Sequence, residues 1–255
     1  MNSKFTQGLA ASIALLLGTA VTPAMAAPAR NIVLVHGAWV NGNGWKPVYD
    51  ILVKDGYRVS IAEHPLTSFA DDVTAVKRIV DMQDGPTILV GHSYGGALVT
   101  DVGNDAKVTG LVYIAAHALD QGETEVANGK RYPSETSKTT DIKKTADGFL
   151  YLDPDKYPAD FAADLPPAQA RFEANAQELT AASVFSTPAG VPAWKSKPSW
   201  YAVATADRII NPDLERMYAR RAHAHTIEIQ GASHSVYESR PKEVAALIEQ
   251  AAKGS

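Results

Sequence analysis

The sequence predicts an α/β fold in which helices cover both faces of a mostly parallel sheet. First, short apolar runs typical of buried strands alternate with amphipathic segments of helical period. Second, Thr87–Val99 has the pattern of a strand, a sharp turn and a helix, and its turn contains Gly-His-Ser-Tyr-Gly. Third, a long irregular stretch, residues 119–197, interrupts the alternation and predicts a helical cap inserted into the domain.

Strands and helices are predicted in alternation along the rest of the chain. Ser68 is predicted to cap one helix, and Asn211 with Pro212 is predicted to begin another. Because such crossovers are right-handed and join parallel strands, the pattern favours a parallel sheet. Apolar runs predict strands at residues 31–36, 57–62, 87–90, 108–115, 200–204 and 226–229. Helices are predicted at 45–54, 73–82, 95 to about 103, 159–163, 167–179, from 212 onward and at 241–252.

Composition limits the classes of protein to which the chain belongs. It has 255 residues, of which 45% are hydrophobic, a length that suits one large α/β domain. The net charge is −4 and no basic run occurs, so nucleic acid is not expected as a partner. The sequence contains no cysteine, which excludes disulfides and thiol nucleophiles.

Residues 1–26 have the features of a signal peptide. Lys4 precedes an apolar run at residues 9–21, and Ala24-Met25-Ala26 forms a cleavage site of the A-x-A type. The apolar run is too short for a typical membrane span, so no stable membrane insertion is expected after cleavage. We therefore predict a periplasmic or secreted protein whose folded domain covers residues 27–255.

The turn Gly91-His-Ser-Tyr-Gly95 is typical of a nucleophile held between a strand and a helix. Gly91 and Gly95 lack a Cβ atom, which lets the strand and the helix approach closely around a strained serine. The N-terminus of the following helix offers free N–H groups and the positive end of its dipole to a developing oxyanion. We predict that Ser93 is the catalytic nucleophile.

Two residues that come later in the chain, an acid and a histidine, complete a predicted catalytic triad in the order serine, acid, histidine. His234 follows the last predicted strand and would accept the proton of Ser93 as general base. Asp207 follows the preceding strand and would orient the imidazole and stabilise its charged form. Asp120, after the strand at 108–115, is an alternative acid. His223 and His225 have no carboxylate at ligand spacing, so no metal site is predicted.

The oxyanion hole requires a second N–H donor besides Tyr94, the residue after the nucleophile. We predict that Ala38, in the turn after the first strand, supplies it, with Trp39 as the alternative. Trp39, Phe172 and Phe185 are predicted to contact the substrate. We expect residues 119–197 to leave and re-enter the sheet at its carboxyl edge, above the nucleophile.

These motifs resemble those of compact serine esterases of the α/β-hydrolase fold, related to plant methylesterases and their bacterial relatives. The resemblance implies the fold, a Ser-His-Asp triad, and neither a metal nor an organic cofactor. It covers most of the chain outside the cap. The matching segments are Val33–Trp39 with Gly44-Trp45, Gly91–Gly96, Ala204–Pro212 and Gly231–His234.

The sequence therefore predicts a carboxylic-ester hydrolase that acts on small to medium, partly apolar esters through an acyl-enzyme. Two activities on the same fold are alternatives, namely a hydroxynitrile lyase and a cofactor-free perhydrolase. A ligand-binding receptor that retains a vestigial triad is a third alternative. Turnover distinguishes the enzymes from the receptor, which would bind its ligand saturably without converting it. The sequence does not indicate an oligomeric state.

Overall fold

A six-stranded parallel sheet forms the centre of the protein in the computed structural model, which describes residues 29–254. The predicted signal peptide, residues 1–26, lies outside the described residues. In chain order the strands are β1 (Asn31–Val35), β2 (Arg58–Ala62), β3 (Thr87–Ser93), β4 (Val108–Ala116), β5 (Ile142–Lys144), β6 (Phe149–Leu152), β7 (Thr180–Ala181), β8 (Ser199–Ala204) and β9 (His225–Ile229). The central sheet has the order β2-β1-β3-β4-β8-β9, and each of its pairs is parallel.

Helices cover both faces of this sheet, as the sequence predicts. In chain order they are α1 (Lys46–Lys54), α2 (Phe69–Asp81), α3 (Gly95–Val102), α4 (Glu125–Arg131), α5 (Tyr157–Asp160), α6 (Pro167–Asn175), α7 (Pro212–Arg221), α8 (Val236–Ser239) and α9 (Pro241–Lys253). One apolar layer includes Val76 of α2, Leu98 of α3 and Leu214 of α7. The other includes Leu52 of α1 and Leu247 of α9. No helix within residues 29–254 has both the length and the apolar character needed to cross a membrane.

Burial on both faces explains the continuous apolar sequences of the central strands. β1, β3 and β8 are buried along their whole length. The edge strands β2 and β9 are partly exposed and accordingly carry polar residues. Because all six strands are parallel, their carboxyl ends meet at one edge, where ligand sites of open α/β sheets occur.

The start of α2 differs from its predicted position. The Ser68 side chain accepts a hydrogen bond from the Asp71 amide, so the predicted cap is present, but the helix begins at Phe69 rather than at residue 73. The apolar stripe appears only from Val73 onward, because the first turn carries the acidic residues that favour a helix N-terminus. The N-cap residue Ser68 therefore marks the start of α2 better than the apolar stripe does.

The stretch between β4 and β8 forms a cap that contains both helices and a small sheet. Its helical part consists of α4, α5 and α6. Strands β5, β6 and β7 add a three-stranded antiparallel sheet, which the sequence did not predict. β5 has three residues and β7 has two, too few for an alternating pattern to be visible in the sequence.

The path of the cap corrects one expectation. The chain leaves the sheet at the carboxyl end of β4, beyond Ala116, as expected. It re-enters at the amino end of β8, however, because β8 runs parallel to β4 and Ser199 pairs with Leu111. The returning segment packs against α3, and the Trp194 indole N–H donates a hydrogen bond to the Leu119 carbonyl. The last part of the insertion therefore runs from the carboxyl ends of the strands back to their amino ends.

Candidate active site

Ser93 lies at the end of β3 in a strained turn. Its φ of 54° is in the left-handed region, which a non-glycine residue rarely adopts. A Cβ atom on Gly91 would come within 2.6 Å of the Gly95 carbonyl oxygen, and one on Gly37 within 2.7 Å of the Ser93 Cβ. Glycine at both positions therefore lets β3, α3 and the turn after β1 converge around the serine, which is 6% exposed.

A buried histidine–aspartate pair faces the serine turn. His234 and Asp207 are both buried, and His234 Nδ1 donates a hydrogen bond to Asp207 Oδ2 at 2.5 Å. The other oxygen of Asp207 accepts the amides of Ile209 and Ile210 at 2.7 and 2.9 Å, which fixes the orientation of the carboxylate. His234 Nε2 is buried and has no hydrogen-bond partner within residues 29–254. This nitrogen is free to accept a proton.

His92 brings the serine turn and the histidine loop together. Its Nε2 donates a hydrogen bond to the backbone oxygen of His234 at 2.9 Å, and the two rings lie 4.6 Å apart. Burial, followed by the neighbouring His234, lowers the pKa of His92 well below its usual value. His92 is therefore neutral and acts as a brace for the loop that carries His234.

The alternative acid, Asp120, points elsewhere. Its Oδ1 forms an ion pair with Lys195 at 2.5 Å and also accepts the Gln121 amide. The structure therefore pairs His234 with Asp207, and Asp120 takes part in a surface ion pair.

Two backbone amides near Ser93 are available to bind an oxyanion. Within residues 29–254, the amides of Ala38 and Tyr94 donate to no other group. The Trp39 amide instead donates to the Thr180 hydroxyl at 3.1 Å. This contact favours Ala38 over Trp39 as the second donor.

The cap holds the turn that carries the Ala38 amide. Trp39 has a φ of 65°, so its backbone is strained, and the cap fixes it at several points. Besides the bond to Thr180, its indole N–H donates to the Leu150 carbonyl at 3.1 Å, and its carbonyl accepts the Glu178 amide at 3.2 Å. Residues of β6 and β7 thus help to set the geometry of the turn.

Glu215 of α7 is a completely buried acid beside Asp207. Its Oε2 accepts the Ala204 amide at 3.1 Å, while Oε1 is buried and accepts no hydrogen bond. Burial first, and then the charge of Asp207, raise the pKa of Glu215 well above its usual value. Arg216 does not neutralise the acid, because its guanidinium binds Glu228 at the surface. Burial therefore favours the protonated form of Glu215 next to Asp207.

The cap also packs directly on His234. Phe161, directly after α5, is fully buried, and its ring contacts that of His234 edge-on at a centroid distance of 4.6 Å. The Phe161 carbonyl accepts the Ser235 amide at 3.0 Å. Arg208, next to Asp207, forms an ion pair with Asp160 of α5 at 2.9 Å. These contacts fix the cap to the loops that carry Asp207 and His234.

An apolar cavity of about 570 Å³ lies between the cap and the turn after β1. Trp39 and Phe185 line it, together with His117 and Ile209, which adjoin the serine and the acid loops. His117 donates its backbone N–H to the Ser93 carbonyl. Phe172 does not line this cavity; it is 72% exposed and borders a second cavity, which Trp39 also lines. The three predicted substrate contacts are thus divided between two cavities.

A buried polar pair lies in the wall of the larger cavity. His117 Nε2 lies 3.3 Å from Glu125 Oε2, and both side chains are buried. Burial lowers the pKa of His117 to about 3 and raises the pKa of Glu125 well above its usual value. Burial therefore favours the uncharged form of both side chains.

Three residues that matter at this site were not predicted, and only one of them has a recognisable signal in the sequence. Glu215 shares the inner face of α7 with Tyr218 and Ala219, a position where an unpaired acid is unusual. Glu125 follows the N-cap Thr124, where an acid has an ordinary helix-capping role. Phe161 is one of many aromatic residues in the cap. Within residues 29–254 no three metal-ligating side chains form a group suited to a metal ion.

The chain belongs to the Alpha/beta hydrolase family, whose model matches residues 32–247. It is 33% identical over 113 residues to a carbendazim-hydrolysing esterase of Nocardioides sp. strain SG-4G, across 38% of this chain and 46% of that protein. The match thus spans about half the length of that relative. Together with the parallel sheet, the family match confirms the predicted fold class and the predicted resemblance.

Two solved structures have the same fold. A pyrethroid hydrolase from Sphingobium faniae JZ-2 is 24% identical, with a TM-score of 0.73 over 88% of this chain and 97% of that one. A methylesterase from Arabidopsis is 16% identical, with a TM-score of 0.70 over 88% of this chain and 99% of that one. At these identities the likeness describes the fold alone.

Proposed function

We propose that the protein is a serine hydrolase that cleaves small to medium, partly apolar carboxylic esters. One observation carries the proposal: the strained Ser93 turn adjoins a buried His234–Asp207 pair whose free imidazole nitrogen has no partner within residues 29–254. A serine hydroxyl is a weak nucleophile, and a base oriented in this way is what activates it. The family membership and the name of the esterase relative support the same class of reaction.

In the proposed reaction, Ser93 Oγ attacks the ester carbonyl carbon while His234 Nε2 takes the hydroxyl proton. The amides of Ala38 and Tyr94 stabilise the oxyanion of the tetrahedral intermediate. His234 then gives its proton to the leaving alcohol, which leaves an acyl group on Ser93. Water, deprotonated by His234, attacks this acyl group and releases the carboxylic acid. Asp207 stabilises the charged imidazole in both halves of the reaction.

We propose that the substrate occupies the apolar cavity of about 570 Å³, a volume within the range for small-molecule sites of roughly 300–1,000 Å³. Its lining by Trp39 and Phe185 favours an apolar acyl or alcohol group. The names of the relatives add two candidate substrates, carbendazim and a pyrethroid, to those worth testing.

The test compares the wild-type protein with Ser93→Ala on p-nitrophenyl esters of graded acyl length, on carbendazim and on a pyrethroid. We expect wild-type turnover to depend on chain length, and Ser93→Ala to lose about a thousandfold or more. The melting temperature of the variant controls for folding. Saturable binding of these esters without turnover would contradict the proposal and favour the receptor alternative.

We further propose that the protein is exported and acts in the periplasm or outside the cell. The proposal rests on the apolar run and the Ala24-Met25-Ala26 site in the sequence. N-terminal sequencing of protein recovered from a periplasmic fraction should give Ala27 as the first residue. Exported protein that begins at Met1 would contradict the proposed cleavage.

A further inference from the structure

A second cavity, of about 360 Å³, shares Trp39 with the larger one, and Ser93, Asp207 and His234 line neither of the two. Four aromatic residues contribute to its wall, namely Trp39, Tyr157, Phe172 and Tyr237. Two acids, Glu173 of α6 and Glu238 of α8, also line it, and none of its lining residues is basic. The volume is sufficient for a small organic molecule.

The two acids form a linked pair. The Gln169 side-chain amide donates one hydrogen bond to Glu173 Oε1 at 2.9 Å and another to Glu238 Oε2 at 3.0 Å. Within residues 29–254 neither acid forms an ion pair with a lysine, an arginine or a histidine. Burial first, and then the charge of Glu173, raise the pKa of Glu238 to about 9. At neutral pH Glu238 therefore holds a proton.

Two buried polar atoms at this site lack a hydrogen-bond partner within the described residues. Tyr237 is fully buried, and its hydroxyl oxygen, close to Glu238, makes no hydrogen bond of good geometry. Glu173 Oε2 is likewise buried and unpaired. Buried polar groups are normally satisfied, so unpaired atoms at a cavity wall indicate a polar ligand. Because both acids are acceptors when ionised, the ligand that fits them best is a donor.

We propose that this cavity binds a small organic ammonium ion with an apolar body. The ammonium group would donate its N–H bonds to Glu173 and Glu238. The aromatic faces of Trp39, Tyr157 and Phe172 would contact the body and attract the positive charge. A metal ion fits less well, because within residues 29–254 no three metal-ligating side chains form a suitable group.

Proton release follows from this arrangement. A cation next to the acid pair favours the ionised form of Glu238, so a bound ammonium would displace about one proton at neutral pH. The titratable groups that face Glu238 are Glu173 from α6, Tyr157 from α5 and Tyr237 from α8. Burial raises the pKa of both tyrosines above its usual value, so neither tyrosine supplies this proton at neutral pH. Affinity should therefore rise with pH as Glu238 loses its proton.

The experiment titrates benzylammonium chloride into the Ser93→Ala protein by calorimetry, in two buffers of different ionisation enthalpy. Because this variant lacks the nucleophile, the result is independent of whether the esterase proposal holds. Benzyl alcohol is the neutral probe of matched shape. We expect one saturable site that releases about one proton per ligand and binds benzyl alcohol at least about tenfold more weakly.

Substitutions identify the site. Glu238→Gln keeps the hydrogen-bonding capacity but carries no titrating proton, so it should weaken binding about tenfold and abolish proton release. Phe172→Ala should weaken binding without changing the proton count. Glu249→Gln, which alters a surface acid paired with Lys253, should change neither quantity. Any of four results would overturn the proposal: equal affinity for the two probes, no proton release, unaltered binding by Glu238→Gln, or no saturable binding up to pH 9.

Discussion

Replacement of Glu215 by glutamine converts a buried carboxyl group beside Asp207 into an amide of nearly the same shape. The glutamine oxygen can accept the Ala204 amide, as Oε2 does now at 3.1 Å. Its NH₂ group can donate a hydrogen bond to a neighbouring carboxylate. Since burial favours the protonated form of Glu215, this substitution preserves both its charge and the hydrogen bond from Ala204. Glu215→Met, of similar volume, removes that hydrogen bond and is the matched comparison.

The two variants should differ clearly. For Glu215→Gln we expect kcat/KM within about threefold of wild type, because no hydrogen bond is lost. For Glu215→Met the buried Ala204 amide loses its acceptor, at a cost of about 1–3 kcal/mol in the free energy of unfolding. Ala204 ends β8 and leads into the loop that carries Asp207, so this loop loses an anchor worth about 1.4 kcal/mol and kcat/KM should fall about tenfold.

The pH dependence of the free energy of unfolding gives an independent test of the protonation state of Glu215. The folded-state pKa of Glu215 lies above its unfolded value, so its stabilising effect is complete at low pH and declines as pH rises toward the folded value. The wild type should therefore lose stability relative to Glu215→Gln as pH rises above about 4.5, by at most about 1.4 kcal/mol per pH unit while Glu215 remains protonated in the folded protein. The stability advantage of Glu215→Gln should therefore be larger at pH 7.5 than at pH 5.5.

Urea unfolding followed by tryptophan fluorescence, at these two pH values, measures the difference directly. Ester hydrolysis at neutral pH gives the activities. A stability difference that is the same at both pH values would mean that Glu215 is ionised in the folded protein. Loss of activity in Glu215→Gln equal to that in Glu215→Met would also refute the reasoning.

Three other predictions concern the proposed catalytic acid, the cap and the larger cavity. Asp207→Asn should lower kcat about 10⁴-fold, whereas Asp120→Asn should stay within about twofold; equal losses would contradict the assignment of the acid. Thr180→Val should slow Ser93 labelling by a fluorophosphonate about threefold to tenfold, because the turn after β1 loses a buried hydrogen bond, whereas Thr180→Ser should not; equal rates would mean that the cap does not position this turn. Phe185→Ala should shift the ester chain-length profile toward longer acyl groups, and Phe172→Ala should leave it unchanged; a shift in the second variant would place the substrate in the smaller cavity.

Most of the sheet and the order of its elements could be predicted from the sequence, because buried parallel strands are continuous apolar runs. The strand β3 is longer than its apolar run, which ends at Val90, because the chain remains extended through the glycine turn as far as Ser93. The cap sheet was missed for a physical reason. β7 has two residues, and its pairing with β6 depends on contacts between segments far apart in the chain.

The candidate site was predictable where local sequence determines geometry. The strained Ser93 turn follows from its glycines, whereas the choice between Asp207 and Asp120 depends on which loop reaches His234. The charge of Glu215 could not be predicted either, because it depends on burial and on its distance from Asp207. The same holds for the position of Phe172, which the structure places at the smaller cavity.

The most direct test of the proposed function is to trap the covalent intermediate. The protein is mixed with p-nitrophenyl butyrate, quenched in acid within milliseconds, digested and analysed by mass spectrometry. We predict a butyryl group on the peptide that contains Ser93, and none on the same peptide of Ser93→Ala. A butyryl group on another residue, or undiminished hydrolysis by Ser93→Ala, would contradict the account.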